Sequence, residues 1–304
     1  MRPVVVLKLS FAWAFIAVSV FWGCRQVVEI DVPLSDQRLV LNAVFNPDSA
    51  LTGAVSYSRH ILDEGRVTPA PVQISVRDLA TNQPVAESIK TQNGFGEIIW
   101  ESPFRPLAGR TYELRVTDQR GKTAHATVTV PAPIPLTDLQ IDTVRSDQGI
   151  DELQLQLRFT DPPGQRNFYQ LFVFYKDKGF FFVRPDGDTT FYVNPSTRRA
   201  FFRISDAALG DVNTSFGELL FDDAFFDGQQ HAITIRFSVN ARSQQDFRVF
   251  FQHLSPEYYR YMITTSLQYR TTGDPFAQPV LVFSNVTNGF GIVGALNQTV
   301  RSLD

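Results

Sequence analysis

Short runs in which apolar side chains recur at every second residue set the fold of this chain. They include Leu39, Leu41 and Ala43; Val72, Ile74 and Val76; Tyr112, Leu114 and Val116; and Ala126, Val128 and Val130. In extended backbone, successive side chains point to opposite faces, so each run buries one face and wets the other. A helix would need spacings of three and four. Turn chemistry separates the runs at Thr81-Asn82-Gln83-Pro84, Gln92-Asn93-Gly94, Ala108-Gly109-Arg110 and Gln119-Arg120-Gly121. Glycine and asparagine tolerate left-handed backbone there, and proline presets φ. Evenly spaced strands with such turns predict an immunoglobulin-like β-sandwich over residues 37–131.

Pro131-Ala132-Pro133-Ile134-Pro135 then reads as a stiff linker, because each proline fixes φ and removes a backbone donor. With the linker over 132–137, a second β-rich domain is expected over 138–304. Leu153, Leu155, Leu157 and Phe159 alternate, as do Ile233, Ile235, Phe237 and Val239. The nearly unbroken apolar run Phe168–Tyr175 suits a strand covered on both faces. One helix is signalled, over 256–270. Ser255 can cap it, Pro256 suits its first position and Glu257 complements its positive end. Tyr258, Met262, Thr265 and Tyr269 would share its buried face. The fold class is mainly β.

The N-terminus has a different character. Arg2 and Lys8 precede an uninterrupted run of apolar or small residues from Ser10 to Gly23, which ends at Cys24, the chain's single cysteine. The run is short for a spanning helix, which needs about 20 residues, and suits a signal peptide over 1–23. Gly23-Cys24 is similar to the end of a bacterial lipobox. Lipidation of Cys24 is therefore expected, with residues 24–36 as a tether; an uncleaved signal anchor is the alternative. Without Arg2 and Lys8 there remain 26 basic against 31 acidic groups, a charge of −5. No basic cluster stands against that balance, and binding to nucleic acid is not expected.

Motifs that would mark chemistry are weak. Gly289-Phe290-Gly291-Ile292-Val293-Gly294 matches the dinucleotide fingerprint, but that motif needs a following helix and an acidic residue about 20 positions on, and no βαβ unit completes it here. Close backbone approach is the better account of these glycines. His60, His125, His231 and His253 form no metal-binding spacing, and neither a G-x-S-x-G elbow nor a P-loop occurs. No cofactor, no resident metal and no enzyme activity are expected. Asp222, Asp223 and Asp227, with Asp186 and Asp188, could offer oxygens to calcium, yet their spacing fits no EF-hand. Acids that cap their own turns explain them more simply.

Phenylalanine is abundant, at 27 residues, in doublets and triplets such as Phe180-Phe181-Phe182, Phe201-Phe202, Phe225-Phe226 and Phe250-Phe251. Neighbours in a strand face opposite ways, so each doublet sends one ring away from any single core. Burial within the chain is the default for the second ring, and a partner is the alternative. Phe180, Phe181 and Phe182, flanked by turn residues, are the candidate partner-binding side chains.

Several stretches together resemble a known family. They are Asp161-Pro162-Pro163-Gly164 with Asn167-Phe168-Tyr169, Phe221-Asp222, Phe226-Asp227-Gly228, and Ser255-Pro256-Glu257-Tyr258-Tyr259-Arg260-Tyr261. With Asp274–Val280 and Ser284–Gly291 they look like the Bacteroidota lipoprotein family known as domain of unknown function four-two-four-nine. The resemblance implies a lipid-anchored protein of the outer membrane, on its periplasmic or its surface face, accessory to a TonB-dependent receptor in substrate capture or gating. It carries no catalytic residues across. A free-standing glycan- or peptide-binding surface module and a carboxylate-dependent hydrolase are the alternatives. A β-sandwich can host all three, and two acids from distant loops leave no sequence mark.

Overall fold

A computed structural model describes residues 36–59, 71–86, 89–93, 96–146, 149, 151–177, 180–183, 190–193, 196–204, 206, 209, 217–238, 246–273, 276–278 and 280–303. Of residues 93, 177, 180–183 and 190–193 it describes the backbone alone.

The first half builds the expected sandwich. Strands β1 (Leu39–Phe45), β2 (Leu51–Tyr57), β5 (Lys90–Asn93) and β6 (Ile98–Ser102) form one sheet in the order β5-β6-β2-β1. Strands β3 (Val72–Asp78), β4 (Gln83–Pro84), β7 (Thr111–Asp118) and β8 (Thr123–Thr129) form the facing sheet, β4-β3-β7-β8. The alternating residues Leu41, Phe45, Val55, Val76, Leu114, Val116 and Ala126 meet between them. Trp100 is fully buried at the centre, directly opposite Gly53 on the neighbouring strand. A Cβ on Gly53 would stand 2.6 Å from the indole, so glycine is what lets the largest side chain fit. Tyr112 stacks on Phe45 at 5.6 Å, and its hydroxyl accepts the Leu107 N–H at 2.9 Å. This bond is similar to the tyrosine corner of immunoglobulin-like sandwiches.

The second half builds another sandwich. Strands β9 (Leu136–Arg145), β10 (Asp151–Thr160), β15 (Arg203–Ile204) and β17 (Gln230–Phe237) give the sheet β15-β17-β10-β9. Facing it are β11 (Phe168–Asp177), β14 (Ser196–Arg199), β16 (Glu218–Asp222) and β18 (Asp246–Leu254), where β16 and β14 share one edge of β11 and β18 takes the other. Among the described residues, strands β12 (Phe180–Val183) and β13 (Thr190–Val193) pair only with each other. Leu155, Leu157, Phe159, Tyr169, Leu171, Ile233, Ile235 and Phe251 fill the core.

The doublet Phe250-Phe251, within β18, obeys the pleat. Phe251 is in this core, while Phe250 lies on the other face and stacks on Phe172 at 4.9 Å. Phe202 and Phe226 are buried, whereas Phe201 and Phe225 are each 73% exposed.

A final strand, β19 (Gly289–Leu303), belongs to both sandwiches. Its first part pairs in parallel with β1, from Leu39↔Gly289 to Phe45↔Ala295. Its second part pairs antiparallel with β18, from Leu254↔Leu296 to Phe247↔Leu303. The chain thus returns to the first sandwich after completing most of the second. The proline stretch is stitched to the same strands. Asn297 donates to the Pro131 carbonyl at 3.1 Å, Thr299 to that of Ile134 at 2.9 Å, and His253 Nδ1 lies 2.8 Å from the Ala132 oxygen.

The helix α1 (Pro256–Thr271) begins and ends as its caps require. Ser255 Oγ accepts the Tyr258 N–H at 3.3 Å and the Ala295 N–H at 3.2 Å, so one hydroxyl caps the helix and fixes it to β19. The buried face differs from the expected one. Tyr258, Tyr259, Met262 and Ile263 pack on Phe168, Leu220, Leu254 and Leu296. Tyr269 is 65% exposed. It shares the angular position of Tyr258 but stands about 16 Å further along the axis, past the sheet surface that the first turns cover. Among the described residues no helix is long and apolar enough to cross a membrane.

Candidate functional site

Two loops at one end of the second sandwich meet around three carboxylates. Asp161 opens the loop from β10 to β11, while Asp223 and Asp227 lie in the loop from β16 to β17. Asp161 and Asp223 are buried, Asp227 is exposed, and one carboxylate oxygen of each lies within 4.8 Å of the others. An open cleft of about 440 Å³ runs beside them, lined by Gly164, Gln165, Arg166, Asp223, Ala224 and Asp227.

Local sequence shapes both loops. Pro162 and Pro163 stop β10, and Gly164 takes φ +84°. Gly228 takes φ +70°, and a Cβ there would also meet Pro163 at 2.8 Å, so the loops close on each other only with glycine at 228. Beneath them Tyr169 lies between Phe221, at 5.2 Å, and Phe251, at 5.4 Å.

The carboxylates are engaged with backbone and neighbouring side chains. Asp161 Oδ1 accepts the Tyr169 hydroxyl and the Asn167 side-chain N–H, and its Oδ2 accepts the Gly228 N–H at 2.9 Å. Asp223 Oδ2 accepts both the backbone and the side-chain N–H of Asn167, at 2.8 and 3.1 Å. Asp227 Oδ1 accepts the Gly164 N–H at 2.9 Å. Burial, then the charge of Asp161, raises the Asp223 pKa against the bonds from Asn167 that lower it. Burial and the bond to Asp161 push the Tyr169 hydroxyl well above its ordinary range, so it stays a donor. The arrangement fastens one loop to the other.

The acidic group differs from the one read in the sequence. Asp222 turns away, accepting the Ala224 N–H at 3.1 Å and Arg166 at 2.7 Å. Asp161, 62 positions before Asp223 in the chain, takes its place. The strand pleat explains the exchange, because adjacent Asp222 and Asp223 leave the end of β16 in opposite directions. Asp161, Asp223 and Asp227 have the oxygen chemistry of a hard-cation site, though calcium takes six to eight oxygens. Asp186 and Asp188 lie outside the described residues.

Cys24 and His60 lie outside the described residues, as do the side chains of Phe180, Phe181 and Phe182. The backbone of Phe180–Val183 forms a two-stranded ladder with Thr190–Val193. At the G-x-G-x-x-G stretch a Cβ on Gly289 would meet the Leu39 carbonyl at 2.5 Å, one on Gly291 that of Leu41 at 2.1 Å, and one on Gly294 the Tyr258 ring at 2.6 Å. Close approach of β1 and α1 accounts for all three. His231 lies 2.8 Å from Asp206 and stacks on Phe226 at 4.2 Å. Asp161, Asn167 and Tyr169 were not singled out by chemical type. Their signal was the Asp161-Pro-Pro-Gly and Asn167-Phe-Tyr stretches, which meet Phe226-Asp227-Gly228 at this cleft.

A family model described as Domain of unknown function (DUF4249) matches residues 25–302. The chain belongs to this family. It is the family that those stretches resemble, so in this DUF4249 chain the mid-chain stretches of the resemblance are the ones that build the loop junction. No curated protein matches the sequence. Among solved structures, the collagen adhesin of S. aureus is 8% identical, with a TM-score of 0.21 over 88% of this chain and 95% of that one. The collagen-binding domain of the Erysipelothrix rhusiopathiae surface protein RspB is also 8% identical, with a TM-score of 0.23 over 88% and 97%. At such scores nothing about this chain rests on the likeness.

Proposed function

We propose that this DUF4249 protein is a lipid-anchored outer-membrane protein that works without chemistry of its own. Its role is that of an accessory to a TonB-dependent receptor in substrate capture or gating. The observation that carries this reading is Cys24, the chain's single cysteine, standing where an apolar leader ends and a short stretch before the first strand begins. A thiol there has no second cysteine to pair with in the chain and is suited to acylation. The family's implied place beside the receptors supplies the partner. The partner surface is the β12–β13 arm with Phe180, Phe181 and Phe182, since rigid aromatic side chains dominate many interfaces.

The test is native co-purification from detergent-solubilised outer membrane. A TonB-dependent barrel should accompany the wild-type protein in fixed ratio and be lost when Phe180, Phe181 and Phe182 are all replaced by Ser in a protein that keeps its melting temperature. Purification without any barrel would reject the reading. A second reading, a free-standing glycan- or peptide-binding module, is favoured by the open cleft lined by Arg166, Asp223 and Asp227. Specific retention on one polysaccharide, abolished by Arg166→Ala, would select it.

A further inference from the structure

The first and last strands of the body are parallel neighbours, and each is tied to the rest of the protein from an opposite end. Strand β1 is entered at Gln37, just before Leu39, so any pull from the N-terminal side acts on the Leu39 end. Strand β19 leaves the first sandwich at Ala295 and continues without a break into the ladder with β18. A load between the N-terminal tether and the second sandwich therefore drags β1 and β19 past each other along their axes.

That geometry is shear. The backbone bonds of a ladder run across the strands, so sliding one strand along the other strains every bond together. Pulling both strands from the same end would instead open the bonds one at a time. The seven register pairs from Leu39↔Gly289 to Phe45↔Ala295 share the load, and β2 holds the other edge of β1 through five more. A side chain reinforces the ladder: Asn42 Oδ1 accepts the Ile292 N–H at 3.3 Å across it. Asn285, just before β19, bonds both the N–H and the carbonyl of Val293, at 3.0 and 2.9 Å, and so steadies β19 without crossing to β1. At Gly291 the missing Cβ lets the two backbones close up.

We propose that the β1–β19 ladder is a force-bearing clamp, which passes tension from the membrane tether straight into the second sandwich without unfolding the first. The clamp is a property of the ladder; the source of the tension rests on the reading of Cys24 as an anchor. Single-molecule pulling on the full chain carrying Cys24→Ser tests it, with handles on introduced thiols. Gln37→Cys with Ser302→Cys loads the ladder in shear. Gln37→Cys with Thr287→Cys loads it from one end. Rupture should need several-fold more force in the first geometry than in the second at the same loading rate, and equal forces would overturn the clamp. Asn42→Ala should lower the shear force and leave the one-ended force where it was; a parallel fall in both would reduce the ladder to ordinary stability and also overturn it. Should acylation at Cys24 fail while the directional difference persists, the clamp stands and only the source of its load is wrong.

Discussion

The Cβ that Gly294 lacks would lie 2.6 Å from the ring of Tyr258. The helix α1 can lie flat on β19 only because that position carries no side chain. Gly294→Ala must push Tyr258 and the first turn outward, at a cost of about 1–3 kcal/mol, the usual range for overpacking a tight contact. Urea denaturation measures it. Calorimetric titration of the wild type with NAD, FAD and ATP should be flat, since these glycines serve packing. A saturable nucleotide site weakened by Gly291→Ala would reverse that account.

Asn167 holds the two loops together by donating to both Asp161 and Asp223. Asn167→Ala removes one donor from each of two buried carboxylates, which keep the Tyr169 hydroxyl and their backbone donors, and should destabilise by about 1–3 kcal/mol in all. Asp222→Ala removes an exposed pair with Arg166 and should cost under about 1 kcal/mol. Equal losses in the two variants would show that the acids do not lock the loops. Calorimetric titration of calcium into the wild type separates a lock from a cation site, a flat trace supporting the lock.

His253 is buried, and its Nδ1 faces the Ala132 carbonyl of the proline stretch. Burial lowers its pKa from the ordinary 6.5, against the bond to Ala132 that raises it. The unfolded chain therefore binds this proton more readily than the folded one. Stability from this group is complete above pH 6.5 and falls as the pH drops below it. Guanidinium denaturation at pH 7.5 and 5.5 should show a loss on acidification that His253→Gln makes smaller. An unchanged difference would place the pH dependence elsewhere.

Metabolic labelling with an alkyne fatty acid should tag the wild-type protein, and Cys24→Ser should lose both the tag and the membrane association. Equal labelling of the two would end the lipoprotein reading.

Particular residues show how far the sequence could be read. Ser255, Pro256 and Glu257 marked the start of α1, because capping acts within one turn. The face that α1 buries was legible at Tyr258 and Met262 and not at Tyr269, since periodicity gives an angle and not the extent of the surface beneath. The acidic group was half legible: Asp223 and Asp227 stand out by type, whereas Asp161 joins them only because β10, β11 and β16 bring its loop alongside.

By itself the sequence determined β1, β3, β7, β8, β10, β11 and β17, the sandwich class and the capped helix, because alternation and capping are settled among residues a few positions apart. Family membership was also legible, in stretches that proved to be structural. Only the tertiary structure decided that β19 closes both sandwiches, joining Asn42 to Ile292 across 250 positions. It likewise decided which ring of each phenylalanine doublet is buried. Strand pairing is made by backbone groups that every residue carries alike, so partners distant in the chain leave no side-chain code beyond the glycines that let them approach.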